Sequence, residues 1–580
     1  MQVKNSVEKI PRVPPAISNI QVNCCLNPKC RNFQQHPSVP DPNIKRRNTD
    51  DQYRVSGSGE AKRLYCKLCG SNCSLKSNLA TDREYRRITK DFERAGRVFC
   101  SNEVCENQQH SFQVHPYRYQ RRGKAPSGNQ RVSCKQCGAS MVLSDHRRTS
   151  SRKQTYKDLS VFRMLVNQAH LRGMARVTNT SPQWIYQAID RIYRQCVAFS
   201  AHRERKLPKA LKDRKLNVAV DQQLFTINWS NRKDRRLTVI PATTSVDNRT
   251  RFAFGAHLSF DGSLLREDLE DAAAACGDNA KPSWAREHAQ YWLEMDYQYS
   301  LQKALERKVR KRNKVPVPES AKSLASEPMT KDHKLPDHGS QVHAAYTLLA
   351  HFRYLAELFQ DAKFIQFSMD REGGITRAYM SAFADRVIKG DCLGFLVKYK
   401  KGLGNDHRRT LVGKGVSKLY ELAGYEVHDY MEANTLKAQH LETLLSDDYP
   451  DQWVDNPFHG ITTPLQSTQL ITTNKLPSKR RLSWLHLFSS LHGVDSLFNA
   501  TRRSLSYLER AISKESNEGR AWTGKAPYDA SMITRVLEIH RCYYNYLKIG
   551  NDGKTPAMRI GVAAAPLKFE GVMYFNSFIK

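Results

Sequence analysis

One cysteine pattern occurs twice near the start of this chain, and it restricts the fold more than any other feature. The first copy reads Cys25-LNPK-Cys30-RNFQQ-His36 and, after a polar stretch, RLY-Cys66-KL-Cys69-Gly70. The second reads Cys100-SNEV-Cys105-ENQQ-His110 and then RVS-Cys134-KQ-Cys137-Gly138, with similar residues in register around both knuckles. Each copy supplies two close thiol pairs joined by a loop. That is the donor set of a tetrahedral Zn²⁺, and a sheet this small needs such a staple because it cannot bury a core of its own. The pattern predicts two tandem zinc ribbons, one held by Cys25, Cys30, Cys66 and Cys69, the other by Cys100, Cys105, Cys134 and Cys137. Four thiolates leave no open coordination position, so both ions are expected to be structural and not catalytic. Cys24 and Cys73 are spare thiols beside the first set that could replace an assigned ligand. His36 and His110 recur, and with four thiols in place a polar loop role is the expectation for them. Ordinary buried cysteine is the alternative to metal.

Of the 14 cysteines, ten lie in these clusters, while Cys196, Cys276, Cys392 and Cys542 are scattered singly. Clustered thiols in a reducing compartment mean metal more often than disulfides. The first residues, MQVKNSVEKIPRVPPA, lack the apolar core and cleavage site of a secretory signal. No stretch approaches the roughly 18 to 20 apolar residues of a bilayer span. A cytoplasmic protein with no membrane partner is expected. Lys plus Arg total 92 against 57 Asp plus Glu, and a formal charge of +35 seeks a polyanion. With 40% hydrophobic residues the chain can bury sizeable cores, which excludes general disorder. At roughly 150 residues per domain, the length corresponds to about four structural units.

Between the thiol pairs of the second copy lies HPYRYQRRGK, where Tyr117 and Tyr119 alternate with Arg118, Arg121, Arg122 and Lys124. Basic side chains take phosphates and aromatics stack on exposed bases, which makes this a candidate nucleic-acid contact; a solvated basic loop is the alternative. Residues 158 to 196 carry apolar side chains at helical spacing, broken by Gly173 and by the turn TNTSP. Ser181 and Pro182 form an N-cap and N1 pair for a helix through Trp184, Ile185, Ile189 and Ile192. A short helix GMARVTN, a tight turn and a longer helix predict a helix-turn-helix, with Gln183 and Gln187 as base-facing candidates. Many helical pairs of this shape bind nothing, so plain packing stays open.

From 214 the pattern becomes that of strands: LNVAVDQQLF, RRLTVIPATTSVD, the turn NRT, and RFAFGAHLSF, read as an antiparallel meander. Asp221 follows Val218, Ala219 and Val220, so the first strand is expected to end by presenting a carboxylate. A long amphipathic helix with Ala345, Leu348, Leu349, Phe352 and Phe359 on one face leads into AKFIQFSMD, a strand delivering Asp370. A helix around 375 to 388 and the strand CLGFLVKY follow, predicting a mixed α/β core with a central sheet. A strand-end Asp is usually a turn former or cap. Two of them together point further, because neighbouring carboxylates repel unless cations sit between them. Two Mg²⁺ or Mn²⁺ ions about 3.5 to 4 Å apart are a device for in-line displacement at phosphorus. A third carboxylate is then expected.

Here the residues resemble those of the DDE-type transposases, whose catalytic domain has an RNase H-like fold. HGVDSLFNATRRSLSYLERAI resembles the last catalytic helix of zinc-ribbon insertion-sequence transposases, where an acid is followed seven residues later by a basic residue; these fall on Asp495 and Arg502. One heptad is about two helical turns, so both project from nearly the same face, the acid to metal and the guanidinium to DNA phosphate. Most such enzymes carry Glu where this chain has Asp495, and the shorter side chain would need a slightly closer helix. Glu509, fourteen residues on and so expected on the same face, is the alternative third acid, but Ser516 stands seven residues after it. Asp495 could instead cap a helix beginning at Ser496, and Glu509 could be a solvated charge beside Arg510. Arg503 and Arg510 are further phosphate-contact candidates or exposed helix surface. The tail PYDASMITRVLEIHRCYYNYLKIGNDGKTPAMRIGVA also resembles this family, in which a tyrosine-rich helix with an Asn precedes a TPA segment. The resemblance covers about 210 to 260, 341 to 402 and 480 to 565, less than half the chain.

The expected organisation is multidomain α/β. Residues 1–90 and 91–150 would form the two ribbons, 151–208 the helix-turn-helix, and 209–580 an RNase H-like mixed-sheet catalytic domain. That last domain carries insertions at about 261–340 and 403–480. The first insertion reads as helical SWAREHAQYWLEMDYQYSLQKALERKVRKRNK followed by a mobile linker; the second has no chemistry to assign, though its KLPSKRR is another phosphate-contact candidate. The resemblance implies a transposase that binds element ends in double-stranded DNA as a homo-oligomer. Asp221, Asp370 and Asp495 would hold two Mg²⁺ or Mn²⁺ ions for cleavage and strand transfer, in a protein associated with DNA as in a prokaryotic nucleoid. A non-catalytic DNA-binding regulator and a metal-dependent nuclease are the alternatives.

Overall fold

The computed structural model describes residues 11–38, 52–143, 155–312, 332–446, 452–509 and 526–575, apart from loop positions 127, 229, 230, 232, 372, 401 and 473. Along the chain, the first three-stranded sheet consists of β1 (Tyr53–Ser56), β2 (Arg63–Cys66) and β3 (Asn72–Ser74), followed by α1 (Asn78–Arg94). The second consists of β4 (Tyr119–Lys124), β5 (Gln130–Cys134) and β6 (Ser140–Val142), followed by α2 (Thr155–Leu165), α3 (Leu171–Thr178) and α4 (Pro182–Glu204). Then come β7 (Lys215–Ile227), β8 (Thr238–Asp247), β9 (Ala253–Leu258), α5 (Arg266–Ala275), α6 (Glu294–Arg312), α7 (Ala344–Leu358), β10 (Phe364–Asp370), α8 (Gly373–Ala382), α9 (Ala384–Lys389) and β11 (Cys392–Lys398). The remainder is α10 (Asn405–Ala423), α11 (Tyr430–Leu444), β12 (Val454–Asp455), β13 (Ser467–Leu470), α12 (Lys479–Phe488), α13 (His492–Ser504), α14 (Ala530–Tyr546), α15 (Pro556–Ile560) and α16 (Phe569–Met573). Among the described residues no helix is long and apolar enough to cross a membrane.

The chain divides into two compact units, one of Met1–Tyr85, Lys212–Phe498 and Tyr528–Ala530, the other of Arg86–Leu211, Asn499–Pro527 and Ser531–Lys580. The first is built on a seven-stranded mixed sheet in the order β12-β13-β11-β10-β7-β8-β9. β7, β8 and β9 form the expected antiparallel meander, while β10 pairs parallel to both β7 and β11. Alternation along the strands assigns the faces. Phe367 turns to one side, its ring 5.7 Å from Phe352 of α7 and 4.8 Å from Phe383 beyond α8. Phe364, Leu393 and Phe395 turn to the other, in a core with Leu441 and Leu482 of α11 and α12. Helices therefore cover both faces, as buried strands require. The segment at 403–480, left without a role by its sequence, supplies α10, α11 and the two strands that extend the sheet beyond β11.

The first small sheet belongs to the same unit and is tied to it by polar contacts. Arg377 of α8 donates to the carbonyls of Ser74 (2.5 Å) and Val22 (2.9 Å), and the Tyr346 hydroxyl accepts from the Ser77 amide at 3.1 Å. Trp284 is buried in the core of that sheet. This anchoring corrects the expectation of a helix from Ser283 onward. The buried Asp278 carboxylate accepts from the amides of Glu287 and His288, both at 2.9 Å, and Arg286 pairs with Asp296 at 2.7 Å. Those bonds hold 278–293 in turns, and the helix begins only at Glu294. Residues 315–331 of the expected linker lie outside the described residues.

In the second unit α3 ends at Asn179 in the left-handed region (φ 48°). The Ser181 hydroxyl then accepts from the Trp184 amide at 3.2 Å, with Pro182 at N1, so the cap and turn read from the sequence are present. α4 buries Ile185, Ala188, Ile189 and Ile192. Its far end is fixed by a buried ion pair in which both Glu204 carboxylate oxygens accept from Arg541 of α14 at 2.9 Å.

Burial of His486 gives this fold an acid sensitivity. Its Nδ1 lies 2.7 Å from the Thr468 hydroxyl, and burial pushes its pKa down to about 4 from the ordinary 6.5. Between those values the unfolded chain takes up a proton that the folded chain does not, so stability is complete above pH 6.5 and falls as pH is lowered, by at most about 1.4 kcal/mol per pH unit. In urea melts at pH 4.5 to 7, His486→Gln is expected to show a shallower fall than wild type; identical slopes would remove His486 as the cause.

Candidate functional site

Two thiol groups and one group of carboxylates concentrate the chemistry of the chain. In the first small sheet Cys25 and Cys69 sulfurs lie 3.5 Å apart and Cys30 and Cys66 sulfurs 3.7 Å apart. In the second, Cys100 and Cys137 are at 3.3 Å and Cys105 and Cys134 at 3.8 Å. Within each group all four sulfurs lie within 4.8 Å of one another. A tetrahedron with Zn–S bonds of about 2.3 Å has edges of roughly 3.8 Å, so both Cys₄ groups are compatible with one structural zinc each. Cys24 and Cys73 stay outside: the Cys24 thiol donates to the Gln21 carbonyl at 3.3 Å, and burial pushes its pKa up to about 12.

The duplication extends to partners that the cysteine spacing alone does not reveal. Asn32 donates to the Cys66 sulfur at 3.4 Å, and Asn107 to the Cys134 sulfur at 3.2 Å; each Asn stands two residues after the second cysteine of its copy. Such outer-shell donors orient ligands and favour thiolate. Burial opposes ionisation of Cys134, but the Asn107 amide and the backbone N–H groups of Cys137 and Gln136 bring it down to about 6. Cys69 reaches about 6 in the same way, through the N–H and hydroxyl of Ser71. The repeated C-x-Asn was the available signal.

Tyr119 requires a correction, because it is 4% exposed and does not offer its ring to a base. Its hydroxyl donates to the carbonyls of Asn107 (3.0 Å) and His110 (2.5 Å), as Tyr53 does in the first sheet toward Asn32 (3.2 Å) and Gln35 (2.7 Å). It is a pillar of the knuckle. Tyr117 is 65% exposed, and Arg121, Arg122 and Lys124 lie on the exposed run of β4. Arg118 is partly engaged, donating to the Asn107 side-chain oxygen at 2.9 Å. Gln183 and Gln187 are exposed on the first turns of α4.

The carboxylates are positioned by strand register and by a polar fastening. Asp221 is not at a strand end: β7 runs six residues further, paired with β8. What ends there is the parallel ladder, whose last pair is Met369 with Val220. One step on, Asp370 stands beside Asp221 on neighbouring strands, about 4.8 Å apart by sheet geometry. Asn217 and Ala219 share the face of Asp221, and Gln366 and Ser368 share that of Asp370. These residues hold the segment leading to α13. Asn217 donates to the Phe488 carbonyl (3.0 Å), Gln366 to the Leu485 carbonyl (2.7 Å), and the Ser368 hydroxyl accepts from the Ser490 amide (3.2 Å). Asn248, just past β8, donates to the Ser490 carbonyl and accepts from the Gly493 amide, both at 2.8 Å.

That fastening brings the first turn of α13, with Asp495, to the end of the parallel ladder where Asp221 and Asp370 lie. Asp495 is not an N-cap, since α13 starts at His492 and the Asp495 amide already bonds the Leu491 carbonyl at 3.0 Å. Tyr399, unremarked in the sequence, links the set. Its hydroxyl donates to the Asp495 Oδ2 at 3.1 Å. Burial, then Asp495, Asp221 and Asp370 in turn push its pKa up, so one phenol feels all three carboxylates. The Gln222 amide donates to Asp221 and the Arg371 amide to Asp370, both at 2.7 Å. Beside them Trp453 carries Lys398 at 4.1 Å and Arg371 at 6.0 Å from its ring centre. Among the described residues only the thiol groups bring three ligand atoms within 4.8 Å of one another, so the carboxylates are more widely spaced than a closed cage. Hard cations that keep several waters do not need such a cage.

The helix on which Glu509 was to share a face with Asp495 ends at Ser504; Leu505 is extended, Leu505, Tyr507 and Leu508 are buried, and Glu509 is exposed beyond them. Arg502 and Arg503 occupy the last turn of α13, while Arg510 lies outside the described residues. Of KLPSKRR, Ser478 caps α12 and Arg481 lies over Phe364, 4.6 Å from the ring centre. Neither a protein-family model nor a curated protein matches the chain.

Metal analysis of the purified protein is expected to give two zinc ions per chain, and one after either Cys69→Ala or Cys134→Ala; an unchanged count would exclude that group as a ligand set. A Cβ at Gly493 would meet the Asn248 Oδ1 at 2.6 Å. Gly493→Ala is therefore expected to cost about 1 to 3 kcal/mol in denaturant melts, with a wild-type midpoint contradicting the fastening.

Proposed function

We propose that the chain is a DDE-type DNA transposase with an RNase H-like catalytic core, acting on the ends of a mobile element in double-stranded DNA. The observation that carries the reading is the phenol of Tyr399, bonded to Asp495 and placed two residues beyond Val397, the ladder partner of Asp370, which itself stands beside Asp221. Three acids far apart in sequence share one neighbourhood, in the order and on the elements that the resemblance implies. The succession of antiparallel meander, helix, parallel strand, helix and parallel strand supports the same core.

Asp221, Asp370 and Asp495 would hold Mg²⁺ or Mn²⁺, which when bound supplies an activated nucleophile and charge stabilisation at phosphorus. The chain's own residues bind and orient the DNA. Arg371, next in sequence to Asp370, and Lys398, both over the Trp453 ring, are proposed phosphate contacts. Water attacks phosphorus and the P–O3′ bond breaks, leaving a 3′-hydroxyl; that hydroxyl then attacks a target phosphodiester, displacing its 3′-oxygen. Tyr117, Arg121 and Arg122 of the second ribbon, Gln183 and Gln187 of α4, and Arg502 are the proposed DNA contacts, with the α3–α4 pair as a helix-turn-helix. Two ends must be joined in one complex, so a homo-oligomer is proposed.

The test is joining of a labelled, precut DNA end, taken from either flank of the coding sequence, to plasmid DNA with Mg²⁺. Wild type and Glu509→Ala are expected to join it. Asp221→Ala, Asp370→Ala and Asp495→Ala are expected to lose roughly 10³-fold or more while still binding the end. Bound ends that wild type never joins would overturn the transposase reading in favour of a nuclease, if cutting persists, or a regulator, if it does not.

A further inference from the structure

We infer that Tyr399 is a positioning residue for the third carboxylate: its hydroxyl holds Asp495 through Oδ2 in the orientation that faces Asp221 and Asp370. The inference rests on the reading of these acids as one cation site and adds a residue to it.

The three acids are not held alike. Asp221 and Asp370 stand on adjacent strands, and each accepts the amide of the next residue at 2.7 Å, so a backbone N–H fixes one oxygen of each. Asp495 stands on a helix, whose N–H groups are directed along the axis and not at its own side chains. Asn248 fixes the helix backbone through Ser490 and Gly493 but does not reach the Asp495 carboxylate through either bond. The Tyr399 hydroxyl donates to that carboxylate from the neighbouring strand end, at 3.1 Å.

Tyr399 is suited to this task by its own placement. Val397 pairs with Asp370 across the parallel ladder, and Tyr399, two residues on, returns to the same face. The next residue is anchored by its amide, which donates to the Pro464 carbonyl at 3.0 Å. The ring is half-buried, so the donor comes from a stiff side chain with only two rotatable bonds before the ring plane. A phenol also donates without adding positive charge, whereas Lys or Arg in its place would compete with a cation for the carboxylates. Donors that orient metal-binding side chains are worth roughly 10- to 100-fold in metal affinity.

The experiment is an electron paramagnetic resonance titration of Mn²⁺ into the full-length, zinc-loaded protein, comparing wild type with Tyr399→Phe and Asp495→Asn. The phenylalanine variant keeps the ring and loses only the hydroxyl. Its Mn²⁺ dissociation constant is expected to rise roughly 10-fold or more, with an unchanged melting temperature in the absence of added Mn²⁺. Wild-type Mn²⁺ affinity in Tyr399→Phe overturns the inference and leaves the carboxylate site standing. A lowered melting temperature with wild-type affinity also overturns it, by assigning the hydroxyl to packing alone. If Asp495→Asn binds Mn²⁺ as wild type does, or wild type binds none, the cation-site reading fails and the inference falls with it.

Discussion

The polar row that fastens residues 485–493 to the sheet is the constraint on which the carboxylate group depends. Asn217, Gln366 and Ser368 sit on strand positions that would otherwise carry apolar core residues, and each spends its side chain on the backbone of that segment. Buried polar groups of this kind are costly when unmatched, at about 1 to 3 kcal/mol each, so the segment has little choice of seat. Gly493 lets the helix approach until its amide meets Asn248. A helix arriving from more than a hundred residues away is thereby set against two strands.

A second constraint is the metal staple. The core of each small sheet has only seven buried side chains among the described residues, three of them cysteines. With a metal bound, each loop gains a fixed crosslink and folding becomes coupled to binding. The matched Asn–Cys and Tyr–carbonyl contacts show that the two copies share an internal design as well as a ligand spacing. They are put to different use: the first is clamped by Arg377 and Trp284 within the sheet-bearing unit, while the second leaves β4 exposed with its row of cations.

Local signals were legible in the sequence, and long-range ones were not. The cysteine groups, the Ser181 cap, the antiparallel meander and the strands before Asp221 and Asp370 follow from spacing, caps and alternation, which are properties of neighbouring residues. Tyr399 was not legible because a tyrosine at the end of an apolar strand reads like any core aromatic until Asp495 is set against it. Tyr119 misled for the converse reason: an aromatic among arginines looks solvent-facing, but two carbonyls of its own knuckle capture the hydroxyl. Helical periodicity carried the expected last helix past Ser504 and started α6 too early at 283. In both places distant packing decided, through buried Tyr507 and Leu508 in one and Asp278 with Trp284 in the other.

We propose that Asp221, Asp370 and Asp495 surround a divalent-cation site. Anomalous diffraction from crystals soaked in Mn²⁺ tests it directly. A manganese peak is expected about 2.1 Å from carboxylate oxygens of both Asp221 and Asp370, with Asp495 in the same coordination shell or joined to it by one water. Manganese bound elsewhere while these carboxylates hold none would contradict it.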